Sequence, residues 1–453
     1  MLRYIADSDV KEIINDLRLL IKRQNQGALR NILIELHPAD IALLLGRLRK
    51  NERKYIFQIL PDEHASAVLT ELEAPLSEQI LEDLPEKKIS ELVDQMSSDD
   101  AADLISDLPE DVADRVLDQV TDEVSEDVKE LLAYQQDTAG GIMELEFIAV
   151  NTKSTVKETI KAIRKAREGM EHIHTVWVTD NKNVLVGSIS LTSLVLAKGK
   201  TPVSEIMERT VRYVYTDKDQ EEVAFIFRKY DLVTLPVVNA QQQLVGQITI
   251  DDIIDVFEEE ASEDITILAG ANDEEIREES FLKISWFRLP WLLVAFCGEF
   301  ISASILHWYM GPIETYQLVT YLAFIPIIMA LGGSSGLQSS IIVIRGLATG
   351  EISMHGMRRR FFRELRVSFV IGLLLGLLMM LIISIWETIR TGLIIGVALN
   401  IIILESTLFG GVIPFILKRL NFDPALASGP FITTFNDILG LYIYLNIIII
   451  FLR

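Results

Sequence analysis

Over residues 1–135, apolar positions recur at helical spacing and also on a longer beat. Leu36, Leu48, Leu60, Leu72, Leu84, Met96, Leu108 and Val120 stand twelve residues apart. Proline follows in His37-Pro38, Leu60-Pro61, Leu84-Pro85 and Leu108-Pro109, and in the last three an acid comes next. Proline is tolerated in a first helical turn, where its missing N–H has no partner to lose, and an acid there suits the positive end of the helix dipole. The pattern predicts short helices stacked at a fixed period, a solenoid-like superhelix.

From 136 to 258 the pattern turns to short apolar strands. Val176-Trp-Val-Thr-Asp and Leu185-Val-Gly187 are echoed 59 residues later by Leu235-Pro-Val-Val-Asn and Leu244-Val-Gly246. Helical stretches over 155–168 and 220–230 precede the strands, and short helices over 193–196 and 252–257 follow them. A tandem α/β repeat of this kind, with the same glycine in both copies, resembles a pair of CBS domains. An acidic connector, 259–284, leads to the last segment, 285–453. There, apolar runs over 286–308, 318–344, 367–386, 392–417 and 427–452 approach the roughly 20 residues that a bilayer-spanning helix needs. The expected architecture is multi-domain: an all-α superhelix, an α/β pair, and five transmembrane helices.

Charge sharpens this division. The chain carries 65 acidic and 42 basic residues, a net charge of −23. The first 284 residues hold 57 of the acids and 31 of the bases, a net of −26, while the remainder is at +3. A half this acidic repels nucleic acid and attracts cations. The lone Cys297 lies in an apolar run and excludes an intrachain disulfide. The N-terminal stretch shows no signal-peptide pattern. Arg345, Arg358, Arg359, Arg360, Arg363 and Arg366 follow the second span, and Lys418 and Arg419 follow the fourth. By the positive-inside rule these loops and the soluble half are cytoplasmic, and five spans leave the C-terminus outside, in a multi-pass protein of the cell membrane.

Within the spans the ionisable groups include Glu299, Glu405 and Asp437. An intramembrane carboxylate is costly unless it meets a cavity, a partner or an ion. Asp437 stands out because Thr433, Thr434 and Asn436 accompany it, with Pro430 upstream to free backbone carbonyls for a water-filled path. An oxygen-only donor set suits a hard cation such as Mg2+ or Ca2+. Gly332-Gly-Ser-Ser-Gly336 in the second span fits either close helix packing or a hydrated pore. In the soluble half, Asp99, Asp103 and Asp107 share i,i+4 spacing, and Asp251, Asp252 and Asp255 follow the last strand. Divalent cations would relieve such crowding, in a site assembled between domains. GxxxxGK[ST] and HExxH are both missing, so no enzyme activity is expected.

This order of superhelix, CBS pair, acidic connector and five spans resembles the MgtE family of magnesium channels or transporters. The likeness rests on Asp137-Thr-Ala-Gly-Gly-Ile-Met143, Gly332-Gly-Ser-Ser-Gly-Leu-Gln-Ser, Ile344-Arg-Gly-Leu-Ala-Thr-Gly-Glu-Ile352 and Asp423-Pro-Ala-Leu-Ala-Ser-Gly-Pro…Asp437. It implies a homodimer in the lipid bilayer with a pore built largely from the second and fifth spans. Asp437 would hold hydrated Mg2+. The implied cytosolic sensing residues are Asp99 and Asp103 in the superhelix, Glu221 and Asp231 in the CBS pair, and Asp252, Asp255, Glu260, Glu263 and Asp264 around the connector. Ser334 departs from the asparagine frequent at that place in the family. ATP in the CBS pair is implied as well. There the second repeat offers Asp252 and the first has Ser193 at the equivalent place, so at most one competent nucleotide site is expected.

The function that follows is Mg2+ uptake through a pore that cytosolic Mg2+ closes. Two alternatives stay open: an ion-coupled secondary transporter of divalent cations, and a non-conducting CBS-linked membrane sensor.

Overall fold

The computed structural model describes residues 7–72, 74–166, 173–269, 280–310, 315–348, 357–420, 422–427 and 429–452. Two compact units are present, Met1–Phe257 and Glu258–Arg453.

The first unit opens with helices α1–α10 between residues 7 and 131. They stack on neighbours two places along the chain, α3 (Pro38–Gly46) on α5 (Asp62–Thr70), α5 on α7 (Glu86–Val93), α7 on α9 (Glu110–Leu117) and α8 (Ser98–Ser106) on α10 (Asp122–Leu131), as a superhelix requires. The twelve-residue beat has a local cause. Each of its residues stands just past a helix, and all but Val120 close it with a tightened turn, as in Leu48 N–H to Leu45 O (3.1 Å), Leu84 N–H to Leu81 O (3.0 Å) and Leu108 N–H to Ile105 O (3.2 Å). Their side chains then plug the gap between successive helices, with Leu48, Leu60 and Val120 buried. Pro38 is the first residue of its helix, whereas Pro61, Pro85 and Pro109 sit one place earlier, at the N-cap.

The two α/β repeats follow at the expected offset. Strands β2 (Thr175–Thr179) and β3 (Leu185–Ser190) pair antiparallel, as do β5 (Thr234–Val238) and β6 (Leu244–Thr249). The short strands β1 (Ala149–Asn151) and β4 (Val214–Tyr215) add a parallel edge to each sheet. Their two or three residues carry too little alternation to be legible in sequence. α11 (Val156–Ala166) precedes β2, and α12 (Leu191–Leu196) and α13 (Val203–Ile206) follow β3. α14 (Gln220–Tyr230) precedes β5. The turns preserve the repeat down to the backbone: Asn183 and Gln242, also 59 residues apart, are both left-handed (φ 62° and 60°). The two repeats are packed differently. The first has its own core around Val156, Val176 and Ile189, while the second shares one continuous core with the superhelix through Ala139 and Met143.

After β6 the chain enters α15 (Ile250–Leu268), a single helix. The short helix expected at 252–257 and the first part of the acidic connector are therefore one element, because no Gly or Pro interrupts 250–268. Connector residues 270–279 lie outside the described residues.

Among its described residues, the second unit contains five helices long and apolar enough to cross a membrane: Leu282–Tyr309, Val319–Leu347, Phe361–Trp386, Ile389–Arg419 and Gly429–Phe451. The fourth is the most buried and packs against the second and third. Small residues set that approach. A Cβ on Gly410 would stand 2.0 Å from the carbonyl oxygen of Gly336, and one on Gly336 would stand 2.4 Å from Ser406 Oγ. Hydroxyls close the seam, with Ser406 Oγ donating to Gly332 O (2.7 Å) and Ser335 Oγ bonded to Thr407 Oγ1 (2.8 Å). Such contacts replace the hydrophobic drive that lipid cannot supply. The second-span glycine motif is thus a packing seam on one face, while Ser334 and Gln338, four residues apart, are exposed on another.

Gly410→Val is expected to destabilise this unit by about 1–3 kcal/mol, as overpacking against rigid backbone does. Gly411→Ala, whose Cβ meets only Ser339 Oγ at 3.1 Å, should be much milder. Melting of the detergent-solubilised protein compares the two.

Candidate functional site

In the first unit, acids converge where α8 (Ser98–Ser106) meets the segment entering the CBS pair. Ser98 anchors the junction. Its N–H and Oγ–H donate to the two carboxylate oxygens of Glu146 (3.1 and 2.6 Å), and its Oγ accepts from Leu145 N–H (2.8 Å). From the other side, Trp177 Nε1–H donates to Gln247 Oε1 (2.8 Å), and Gln247 Nε2–H donates to Glu144 and to the carbonyl of Glu146 (3.2 Å). This chain of hydrogen bonds ties both CBS repeats to the entry segment.

Asp99, Asp100, Glu144 and Asp252 are gathered here, and the leading charges acting on them are those of other acids. Burial raises all four above the ordinary carboxylate range, and neighbouring negative charge adds to it. Asp100 is pushed up to about 6 by burial, then by Asp99, with Asp251 and Asp255 contributing. Glu144 reaches about 8 through burial, with Asp99, Asp252 and Glu146 adding to it against the bond from Gln247. Asp252 also reaches about 8, through burial and Asp99, although Thr249 N–H (3.1 Å) and Oγ1–H (2.7 Å) both donate to it. Asp99 is only 9 % exposed, and its Oδ1 is buried without a hydrogen-bond partner. An orphaned carboxylate oxygen among acids is the chemistry of an oxygen-donor cation site. Among the described residues, no three His, Cys, Asp or Glu side chains converge as a finished metal cage.

The other sequence-predicted acids are placed differently. Asp103 lies exposed one turn beyond Asp99, and Asp107 is the C-cap of α8 rather than part of its face. Asp255 acts on Asp100 from α15. Glu221 and Asp231 stand at opposite ends of α14, Asp231 in a left-handed cap, about 15 Å apart by helical rise. They cannot share one ion. Glu260, Glu263 and Asp264 occupy the later turns of α15, in the second unit. Glu144 and Glu146 escaped the sequence reading. The available signal was the repeated Ile142-Met-Glu144 and Ile206-Met-Glu208, whose last residues bridge Gln247 and Ser188, 59 residues apart.

In the second unit, Thr433, Thr434, Asn436 and Asp437 of the fifth span divide between two faces. Thr434 presses on Gly298 of the first span, where a Cβ would stand 1.9 Å from Thr434 Cγ2. Asp437 shares that side and is half-buried. Thr433 and Asn436 turn to the second span, near Gly333 and Gly332. Asn436 was expected to line an open path, but it is buried (2 % exposed). Its Nδ2–H donates to Met329 O (3.3 Å) and to Asp437 Oδ1 (3.4 Å), so it clamps helices and steadies the acid. Thr433 Oγ1–H turns back onto its own helix, donating to Gly429 O (2.8 Å) and Pro430 O (3.2 Å). Pro430 lies in the first turn of its helix, where its missing N–H opens nothing.

Three family profiles match: an MgtE intracellular N domain over 36–137, CBS domains over 139–200 and 203–259, and a divalent cation transporter domain, MgtE, over 325–447. The magnesium transporter MgtE of Thermus thermophilus is 36% identical over 93% of this chain and 94% of its own length. The chain belongs to the MgtE family of magnesium transporters. The Bacillus subtilis MgtE is 32% identical over 98% of both chains. A crystal structure of the cytosolic domain of the Mg2+ channel MgtE in complex with ATP covers 54% of this chain and 99% of its own, at 36% identity and a TM-score of 0.52. The soluble part of another magnesium transporter matches with 28% identity and a TM-score of 0.51, covering 56% of this chain and 99% of its own. As an MgtE protein this is a multi-pass membrane transport protein with a cytosolic N-terminal half, rather than an enzyme.

The raised acids of the MgtE cytosolic unit give its stability a definite pH dependence. Their folded values exceed the unfolded carboxylate values near 4. Their contribution is therefore complete below about pH 4 and is lost as pH rises through about 6 for Asp100 and about 8 for Glu144 and Asp252. In chelator, the melting temperature of this unit in the intact protein is expected to fall by several degrees between about pH 5 and 8.5. Asp252→Asn should flatten the profile.

Proposed function

We propose that this protein is a Mg2+-selective channel for magnesium uptake, closed by Mg2+ bound among its cytosolic acids. The observation that carries the channel reading is Asp437. It is a carboxylate within the fifth span, steadied by Asn436, and no Lys, Arg or His pairs with it among the described residues. A pore between two copies of the chain, built from the second and fifth spans, would bring two such carboxylates to one axis. Ser334 and Gln338 would line the exposed face of the second span. Mg2+ sheds water reluctantly, so it would cross hydrated, held through its waters. The C-terminus would then lie outside the cell.

Closure rests on the acid junction. Asp99, Asp100, Glu144, Glu146, Asp252 and Asp255 would hold Mg2+, Asp99 Oδ1 offering the unused oxygen. Asp103, Glu221, Asp231, Glu260, Glu263 and Asp264 would add weaker, outlying sites. Without Mg2+ the acids repel and the junction loosens; with it they are drawn together. On this reading the CBS pair also takes ATP, as the crystallised relative does. Ser193 Oγ there already bonds Ser190 Oγ (2.9 Å), and Asp252 is engaged among the acids, so the nucleotide is expected to bind weakly.

One observation favours an ion-coupled carrier instead. Both carboxyl oxygens of Glu405 in the fourth span are buried without a hydrogen-bond partner. Such a group suits proton carriage.

The test is Mg2+ flux into proteoliposomes under an inside-negative voltage, with no pH gradient and little Mg2+ on the cytosolic face. Asp437→Ala should bring flux to background. Asp99→Asn or Asp252→Asn should conduct, but need about tenfold more cytosolic Mg2+ to close, the effect of losing about 1.4 kcal/mol of binding. Flux that requires a proton gradient and is lost in Glu405→Gln would favour the carrier.

A further inference from the structure

We infer that Glu299, in the first span, is a second carboxylate of the ion pathway, meeting the same hydrated cation as Asp437 and setting how tightly it is held. The assignment rests on the reading of Asp437 as the pore acid, and extends it to a residue of a different helix.

The placement follows from helix packing. Gly298 lets the first span approach the fifth so closely that its missing Cβ would meet Thr434 Cγ2 at 1.9 Å and Ile438 Cδ1 at 3.7 Å. The next residue along is Glu299, and its carboxyl group comes within hydrogen-bonding reach of the Asp437 carboxyl. Asn436 Nδ2–H approaches Asp437 Oδ1 at 3.4 Å from the second-span side, so Asp437 is bracketed between an amide donor and a second acid.

The surroundings point to an ion rather than to a structural pair. Glu299 is exposed on the isolated chain, beside the exposed rings of Phe296 and Phe300. A carboxylate on such a face of a bilayer-spanning helix needs water, an ion or a polar partner. No basic side chain forms an ion pair with either acid among the described residues. One further polar atom nearby in sequence, Ser302 Oγ one turn beyond Glu299, is buried without a partner. The waters of a hydrated cation supply what the two acids lack. They donate to carboxylates and hydroxyls, while the cation offsets the repulsion between the acids. With both acids, each subunit presents four carboxylate oxygens to the ion rather than two. That arrangement favours divalent over monovalent cations, and it trades speed of release for affinity.

The test uses the intact protein in proteoliposomes under the same voltage, reading both the half-saturating Mg2+ concentration and block by hexaamminecobalt(III). That inert cation resembles hydrated Mg2+ and cannot shed its ligands. Glu299→Gln is expected to raise the half-saturating concentration and weaken the block, each by about five- to tenfold, with maximal flux kept or increased. Glu299→Asp, which retains the charge, should stay within about twofold of the parent on both measures. Should Glu299→Gln fail to fold, as judged by melting, Glu299→Ser takes its place. Unchanged affinity and block in the uncharged variant, with flux still abolished by Asp437→Ala, would overturn the role of Glu299 and leave the pore acid standing. Equal shifts in the Gln and Asp variants would mark shape rather than charge, and would also overturn it. Flux that survives Asp437→Ala would remove the pore acid and this assignment together.

Discussion

Like charges held close together without a basic partner dominate both units. At the cytosolic junction, Asp99, Asp100, Glu144 and Asp252 are largely withdrawn from water, and the charges that act on them are those of other acids. In the membrane unit, Asp437 and Glu299 meet across two helices. Such arrangements oppose folding unless the scaffold enforces them, and a cation relieves them. The rest of the architecture can be understood as what holds these groups in place against their own repulsion.

In the cytosolic unit that enforcement is apolar and cumulative. The twelve-residue beat closes each short helix and seats a side chain between it and the next, so the superhelix is stiffened at every turn. Its core runs without a break into the second CBS repeat, while the first repeat keeps a core of its own. The Trp177–Gln247–Glu144 chain of hydrogen bonds then fixes the entry segment, and Ser98 holds Glu146. In the membrane unit the same task falls to small residues. Gly336 faces Gly410, and Gly298 admits Thr434, bringing helices near enough for polar side chains to meet.

Much of this was legible in the chain because it depends on local periodicity. The beat from Leu36 to Val120, the 59-residue offset and the five apolar runs each report how neighbouring residues must be arranged. Asp99, Asp252 and Asp437 were also legible, since clustered or membrane-embedded acids are costly and therefore conspicuous. Glu144 and Glu146 were not, because two acids in an irregular segment look like a solvated loop until α8 is packed over them. The division of labour within the fifth span was hidden too. Thr433, Thr434, Asn436 and Asp437 are close in sequence, but a helix sends the first and third toward one neighbour and the other two toward another.

By itself, the sequence determined what each segment could become: a stacked superhelix, a paired α/β repeat, five spans, and a supply of oxygen donors suited to a hard cation. These follow from period, composition and charge, which act over a few residues at a time. Only the tertiary structure decided which acids face one another. It separated Glu221 from Asp231, joined Glu144 to Asp99, turned Asn436 inward and set Glu299 beside Asp437. Those outcomes depend on how closely distant helices approach. That distance is set by side-chain volume and hydrogen bonding at the contact, which no local pattern encodes.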